Sequence, residues 1–105
     1  MEIVLTTYKL ANQLPPEEKY GLRSQITRCA VSIPSNIAEG SAKGSNKDYK
    51  KYLEVSLGST HELETQVLII EMLKLGDAHI IEMLLNGLDE EQKMLQSFIK
   101  VVSKS

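Results

Sequence analysis

Basic side chains are concentrated in a short segment near the middle of the chain. Residues 43 to 52 contain four lysines and one acid. Lys47, Lys50 and Lys51 are spaced i, i+3 and i+4, so on an α-helix they share one face. Clustered ammonium groups can bind phosphates, which gives salt-dependent affinity without base recognition. The spacing predicts a phosphate-binding edge, and the alternative is a solvated helix start. The predicted nucleic-acid site comprises Arg23, Lys43, Lys47, Lys50 and Lys51.

A second set of polar side chains follows one face of a predicted helix that contains Pro34. Proline inside a helix removes a backbone hydrogen bond and costs about 3 kcal/mol. In one interpretation the set is an interior network. Arg28 or Arg23 would pair with Glu39 or Glu64, and Asn36 or Ser32 would satisfy backbone freed by the proline. In the other it is a ligand site. The set comprises Gln25, Arg28, Ser32, Asn36 and Glu39, with Glu64 on the next helix.

The residues that could perform catalysis or hold a metal are isolated from one another. A di-iron bundle needs Glu-x-x-His on two helices, whereas Gly58 and Gly76 stand three residues before His61 and His79. Cys29 borders an apolar stripe and is expected to be a small buried hydrophobe. Neither a phosphate-cradling glycine loop nor a nucleophile elbow is visible. We therefore expect no catalytic residue, no metal, no cofactor and no enzymatic activity.

Charge is arranged by segment, although the net formal charge is only −2. Residues 43–52 and 92–105 each carry +3, while residues 53–91 carry −8. The length of 105 residues and a hydrophobic fraction of 42% fit one globular domain spanning 1–105. No apolar run approaches the ~20 residues of a membrane span, and the start has no signal-peptide pattern. A single cysteine suits a reducing cytoplasm, so we expect a cytoplasmic protein without membrane partners.

Four segments have the apolar periodicity of amphipathic helices, and none has a strand pattern. The predicted helices span residues 2–13, 16–39, 47–75 and 78–102. Short connections force neighbouring helices to run antiparallel. The predicted fold is therefore all-α, an antiparallel up-down-up-down four-helix bundle. The predicted core stripe of the third helix is Leu53, Leu57, Thr60, Leu63 or Glu64, Val67, Ile70 and Lys74.

Small and turn-forming residues indicate where these helices end and approach one another. Gly40 is predicted to end the second helix as a left-handed cap, and Gly76 to stop the third. Ser45 or Asn46 is expected to cap the third helix and Asp77 the fourth. In mid-helix, a patch of small residues predicts close approach of the third helix to the second. The patch comprises Ser56, Gly58 and Ser59, with Ala30 and Ser32 as its partners.

The chain resembles the four-helix-bundle family named for intervening sequences in bacterial 23S rRNA genes, and the likeness covers nearly its whole length. The motifs that carry it are QITRCAVSIPSNIAEG, ending at Gly40, and LGSTHELETQ, from Leu57 to Gln66. The resemblance implies an up-and-down bundle that often assembles into a ring of about five copies. It also implies kinship with the accessory protein of diversity-generating retroelements, which binds nucleic acid and a reverse transcriptase. It implies no settled biochemical role.

More apolar side chains occur than four helices of this width can bury, which predicts an oligomer face. They are Tyr8, Tyr20, Tyr49, Tyr52, Met72, Met83 and Met94. We therefore expect a homo-oligomer, with a pentamer as the expected state. Its expected function is that of a scaffold or adaptor binding structured RNA or DNA through the lysine-rich edge. The alternative is a protein-protein interaction module with no nucleic-acid role, whose acidic third and fourth helices meet a basic partner.

Overall fold

Helices make up most of the structure, a computed structural model that describes residues 2–18 and 21–104. The α-helices are α1 (Glu2–Gln13), α2 (Leu22–Ser41), α3 (Asn46–Met72) and α4 (Ala78–Ser103). The predicted bounds of α1 are confirmed, and those of α4 differ by one residue. The second helix was predicted to begin at Pro16, which is wrong: a separate 3-10 helix spans Pro16–Glu18 and α2 begins at Leu22. Lys19 and Tyr20 lie outside the described residues.

The helices form an antiparallel bundle in which each one packs against its neighbours in the chain. Contacts join α1 to α2, α2 to α3 and α3 to α4, and α4 packs back against α1. Among the described residues the diagonal pairs make no close backbone contact. The bundle is elongated, measuring 46 Å along its axis and 23 and 18 Å across. The predicted all-α, up-down-up-down four-helix bundle is confirmed.

The first helix covers only one half of the bundle, because α1 has 12 residues and α3 has 27. Leu10 of α1 lies beside Gly76, just before α4 begins. Ile3, near the start of α1, lies beside Gly87 in the middle of α4. The half of the bundle beyond Ile3 therefore consists of α2, α3 and α4 alone. It has its own small core of Leu53, Leu95 and Val102.

The core is apolar apart from Gln92 and three side chains, Thr7, Ser56 and Thr60, whose hydroxyls bond to backbone carbonyls. Thr7 donates to the Ile3 carbonyl at 2.7 Å, and Ser56 donates to the Ile33 carbonyl of α2 at 2.9 Å. Such bonds offset the cost of burying a hydroxyl. Most of the predicted α3 core stripe is buried or half-buried, but Lys74 is exposed because α3 ends before it.

The connection between α3 and α4 corrects the predicted role of Gly76. The third helix ends at Met72, and the residue in the left-handed cap position is Lys74, with φ +58°. The Leu75 N–H donates to the Ile70 carbonyl at 3.1 Å, which completes a Schellman motif around Lys74. Gly76, with φ +75°, then turns the chain toward α4. Asp77 accepts from the His79 and Ile80 N–H groups, so its predicted capping role is confirmed.

Gly40 is an interior residue of α2, and its predicted role as a left-handed cap is wrong. The helix continues to Ser41, and Ala42 takes the C-cap position with φ −84°. Gly40 is buried where α2 meets the start of α3. A Cβ added there would lie 2.7 Å from Tyr52 Cβ and 2.9 Å from Tyr49 Cδ1. The position requires glycine because the two helices approach too closely for a side chain.

The small-residue patch behaves as predicted at two positions but not at the third. Ser56 bonds to the Ile33 carbonyl, and the hydroxyls of Ser59 and Ser32 share a 2.7 Å hydrogen bond. Gly58 is exposed, and a Cβ there would meet no atom within 4 Å. The predicted close approach at Gly58 is therefore wrong, because this position faces solvent.

Replacing Gly58 with alanine should raise the free energy of unfolding by about 0.5–1 kcal/mol, because alanine restricts the unfolded chain and adds no clash. Urea denaturation followed by circular dichroism measures this change. Unchanged or lower stability of Gly58→Ala would contradict an open environment at this position.

Candidate nucleic-acid interface

The predicted lysines lie where α3 begins and in the loop before it. The Ser45 hydroxyl accepts a hydrogen bond from the Asp48 N–H at 3.2 Å and caps α3. Of the two predicted caps, Ser45 and Asn46, the first is therefore confirmed. Lys43 lies in the loop, where its Nζ is 3.7 Å from Glu39 Oε1 and 5.4 Å from the centre of the Tyr52 ring. The lysines in the first turns of α3 are exposed or half-buried, and none belongs to an ion pair within the described residues. They are Lys47, Lys50 and Lys51.

The end of α4 brings further lysines to the same end of the bundle. Leu53 of α3 packs with Leu95 and Val102 of α4. The rings of Tyr49 and Phe98 meet edge to face, with centroids 5.2 Å apart. The antiparallel arrangement thus places the two +3 segments side by side. We call the resulting surface the basic end, defined by Lys43, Lys47, Lys50, Lys51, Lys100 and Lys104.

Lys100 and Lys104 are residues that the sequence-based site did not include. The signal that could have found them was present: a +3 C-terminal segment and a predicted antiparallel α3–α4 pair. Lys93, in the same segment, is bound to Asp89 at 3.0 Å. The basic end also contains acids, notably Asp48, but lysines outnumber them.

Arg23 does not belong to the basic end, which corrects the predicted site. Arg23 is the second residue of α2, and Lys47 is the second residue of α3. Because the two helices are antiparallel, their starts lie at opposite ends of the bundle. The 20 residues of α2 separate them by about 30 Å. Arg23 and the lysines cannot contact one short stretch of phosphates.

The predicted polar network forms only in part. Asn36 donates to the Ser32 carbonyl at 2.7 Å. The carbonyl that Pro34 deprives of its usual donor belongs to Ala30, so this bond does not perform the predicted task. Ser32 instead bonds to its own helix and to α3, donating to the Cys29 carbonyl at 2.7 Å. Of these bonds, only the 2.7 Å bond between the Ser32 and Ser59 hydroxyls joins α2 to α3.

The predicted arginine–glutamate pairs are wrong. Arg28 donates to Ser24 of its own helix at 3.4 Å, and Glu39 pairs with Lys43. Glu64 accepts from Gln92 of α4 at 3.3 Å. The physical reason is the register of α3, which turns Glu64 toward α4 and away from α2.

Three of the five α2 side chains of the polar set line an open groove against α3. The groove has a volume of about 460 Å³, and Gln25, Arg28 and Ser32 face Glu62 and Gln66 across it. Gln66 Oε1 is buried and has no donor within the described residues. The ligand-site interpretation of this polar set stays a prediction.

Cys29 is buried against α3, and its thiol donates to the Ser59 carbonyl at 3.1 Å. Burial, together with the negative charge of Glu62, raises the pKa of the Cys29 thiol from 9.0 to about 12. The thiolate is the reactive form of cysteine. Cys29 is therefore a packing residue with low reactivity.

Alkylation of Cys29 at pH 8 should be slower in the folded protein than in denaturant by about two orders of magnitude or more.

The raised pKa also predicts that the free energy of unfolding falls as pH rises from about 9 to about 12, because the unfolded chain releases the thiol proton first. Lysines and tyrosines titrate in the same range, so Cys29→Ala is the control and should decline less steeply. Equal alkylation rates in the folded and unfolded states would contradict this assignment.

Metal ligands and membrane spans are absent from the described part of the chain. No group of three or more His, Cys, Asp or Glu side chains could hold an ion there. His61 and His79 are both exposed. In residues 2–18 and 21–104, no helix is long and apolar enough to cross a bilayer.

The fold and this surface define an antiparallel four-helix bundle with charge segregated along its length. Comparison with known families places the chain in one of them: it belongs to the 23S rRNA-intervening sequence protein family, whose model matches residues 1–97. A solved structure from Bacteroides thetaiotaomicron VPI-5482, described as a protein of unknown function from the S23 ribosomal protein family, is similar. It superposes with a TM-score of 0.85 at 27% identity, covering 94% of this chain and 89% of the other. No curated protein matches the sequence.

Proposed function

We propose that this protein is a non-enzymatic scaffold or adaptor that binds structured RNA or DNA through its basic end. The lysines contact phosphate oxygens, so binding depends on salt and on nucleic-acid shape more than on base sequence. Tyr49 and Tyr52, the tyrosines interleaved with the lysines, are half-buried against neighbouring helices and are poor platforms for stacking bases. We also propose that the protein acts in the cytoplasm.

The observation that carries the proposal is the convergence of the two +3 segments. Either segment alone is a modest cluster, but α3 and α4 place six lysines at one end of a bundle 46 Å long. The −8 segment occupies the remainder of the same two helices. A polyanion would therefore be attracted to one end and repelled along the rest, which orients it as it approaches.

Family membership supports the choice of the first nucleic acid to test. The family takes its name from sequences that interrupt 23S rRNA, so a structured rRNA fragment is the natural probe. Titration by fluorescence anisotropy at about 50 and 200 mM salt should show tight binding that falls steeply with salt, with each neutralised phosphate adding about 0.9 to the log–log slope. Absence of binding at the lower salt would refute the proposal.

Self-assembly is the second part of the proposal. Several apolar side chains remain exposed, including Tyr8, Met72, Met83 and Met94, while Tyr49 and Tyr52 are half-buried and Tyr20 lies outside the described residues. A cyclic arrangement of about five copies would cover exposed side chains such as Tyr8 and Met72 and repeat the basic end around a ring. Light scattering should give a mass near five times the 11.7 kDa chain. A monodisperse monomer would refute assembly.

The second candidate function is a protein-protein interaction module, with a reverse transcriptase as one proposed partner. The observation that favours this candidate is an acidic, apolar groove between α1 and α4, away from the basic end. This alternative has no nucleic-acid role, so the RNA titration described above distinguishes it from the first candidate.

A further inference from the structure

An open groove of about 490 Å³ runs between α1 and α4 on the half of the bundle that α1 covers. Its floor is formed by Ile3, Leu84 and Gly87. A Cβ at Gly87 would lie 3.6 Å from Ile3 Cγ1, so the missing side chain deepens the groove without being needed for helix packing. Glycine in mid-helix costs about 1 kcal/mol relative to alanine. The bundle has this open space at a position where alanine would fit.

The walls of the groove are apolar and exposed. Leu5 is 64% exposed, Met94 55% and Met83 50%. Methionine side chains are flexible and polarisable, and they recur on surfaces that accept helices of differing shape. Leu5 projects from α1 and the methionines from α4, so an apolar ridge entering the groove would contact both helices.

The rim of the groove is acidic. Glu2, Glu90 and Glu91 line it, against a single base, Lys9. None of these four side chains belongs to an ion pair within the described part of the protein. The carboxylates are therefore available to a partner that brings positive charge to both sides of an apolar face.

We propose that the groove binds an amphipathic helix of a partner protein, with an apolar stripe flanked by lysine or arginine. α1 is 12 residues long, so its wall offers about 18 Å, or three turns, of contact. Helices dock into such grooves through apolar side chains at i, i+3, i+4 and i+7. The basic end of a second copy fits less well, because it presents α3 and α4 side by side and is broader than a groove walled by two adjacent helices.

The proposal is tested with a fluorescein-labelled peptide of about 14 residues that has leucine on one helical face and lysine elsewhere, titrated by anisotropy. A peptide with glutamate in place of lysine should not bind. Glu90→Lys/Glu91→Lys should weaken binding of the lysine peptide by about 10-fold or more, because like charges then meet. Met83→Asp should weaken it similarly by placing a charge in the apolar wall.

The matched control is Glu54→Lys/Glu71→Lys, which makes the same change of net charge at exposed positions of α3 outside the groove. It should leave the affinity within about twofold. Thermal unfolding by circular dichroism confirms that each variant is folded. Equal weakening by the control pair, or equal binding of the glutamate peptide, would overturn the proposal.

Light scattering of the Glu90→Lys/Glu91→Lys variant without peptide tests the other possible occupant of the groove, a second copy of this chain. A loss of assembly mass, with peptide binding unchanged, would identify the groove as an interface between copies and overturn the partner-helix proposal. The peptide titration uses no nucleic acid, so its failure leaves the function proposed for the basic end untouched. Conversely, loss of RNA binding in lysine variants says nothing about the groove.

Discussion

Replacing Lys47, Lys50 and Lys51 together with glutamate should abolish RNA binding and leave thermal unfolding nearly unchanged. Each substitution removes a positive charge and adds a negative one, so at about 50 mM salt we expect affinity to fall by about 100-fold or more. The three side chains form no ion pairs within the described residues. Glutamate near the start of α3 also interacts favourably with the helix dipole. Anisotropy titration and circular dichroism measure the two quantities.

The control for that prediction compares opposite ends of the bundle. Lys100→Glu/Lys104→Glu changes two charges at the basic end, and Arg23→Glu/Lys74→Glu changes two charges far from it. The first pair should weaken binding by about tenfold or more and lower the salt slope by about 1–2. The second pair should weaken binding only slightly. Equal losses would show that binding follows net charge, and the basic end would then not be the site.

Replacing Gly40 with alanine should lower the free energy of unfolding by about 2 kcal/mol, in the range measured for overpacked interiors. The added Cβ would lie 2.7 Å from Tyr52 Cβ, the atom fixed to the α3 backbone, so relief requires the helices to separate. Urea denaturation measures the change. The same separation would move Tyr52 relative to Lys43, so a moderate loss of RNA affinity should accompany it.

Gly58→Ala is the matched control, since both glycines lie inside helices and differ only in what surrounds them. Alanine has the higher helix propensity at both sites. If Gly58→Ala stabilises the protein and Gly40→Ala destabilises it, the difference comes from the contact between α2 and α3 at Gly40. If Gly40→Ala is as stable as Gly58→Ala, the close approach of α2 to α3 at Gly40 is contradicted.

Periodicity predicted the helices well because each long helix must bury one stripe of its surface. Leu53, Leu63 and Val67 lie on the predicted core stripe of α3, and all three are buried. The cap at Asp77 was equally predictable, because a carboxylate that bonds to nearby N–H groups acts within one turn of chain.

Predictions that depended on one glycine or one charge pair were less successful. Gly40 and Gly76 both have the residue type of a helix cap, yet Lys74 occupies the left-handed position and Gly40 lies inside a helix. Residue type alone cannot distinguish a glycine needed for positive φ from one needed for close approach. Arg28 or Arg23 was predicted to pair with Glu39 or Glu64, but the partners of long charged side chains depend on how the helices pack.

The sequence by itself determined the all-α class, the antiparallel order and the lysine cluster at the start of α3, because these follow from local periodicity, short connections and composition. Tertiary structure alone decided which distant charges share a surface. It brought Lys100 and Lys104 beside the α3 lysines and placed Arg23 about 30 Å away. It also opened the α1–α4 groove, since the space left by Gly87 becomes a binding surface only when a second helix lies beside it. The physical reason is that helix formation depends on neighbours within a few residues, whereas a surface depends on which helix faces meet.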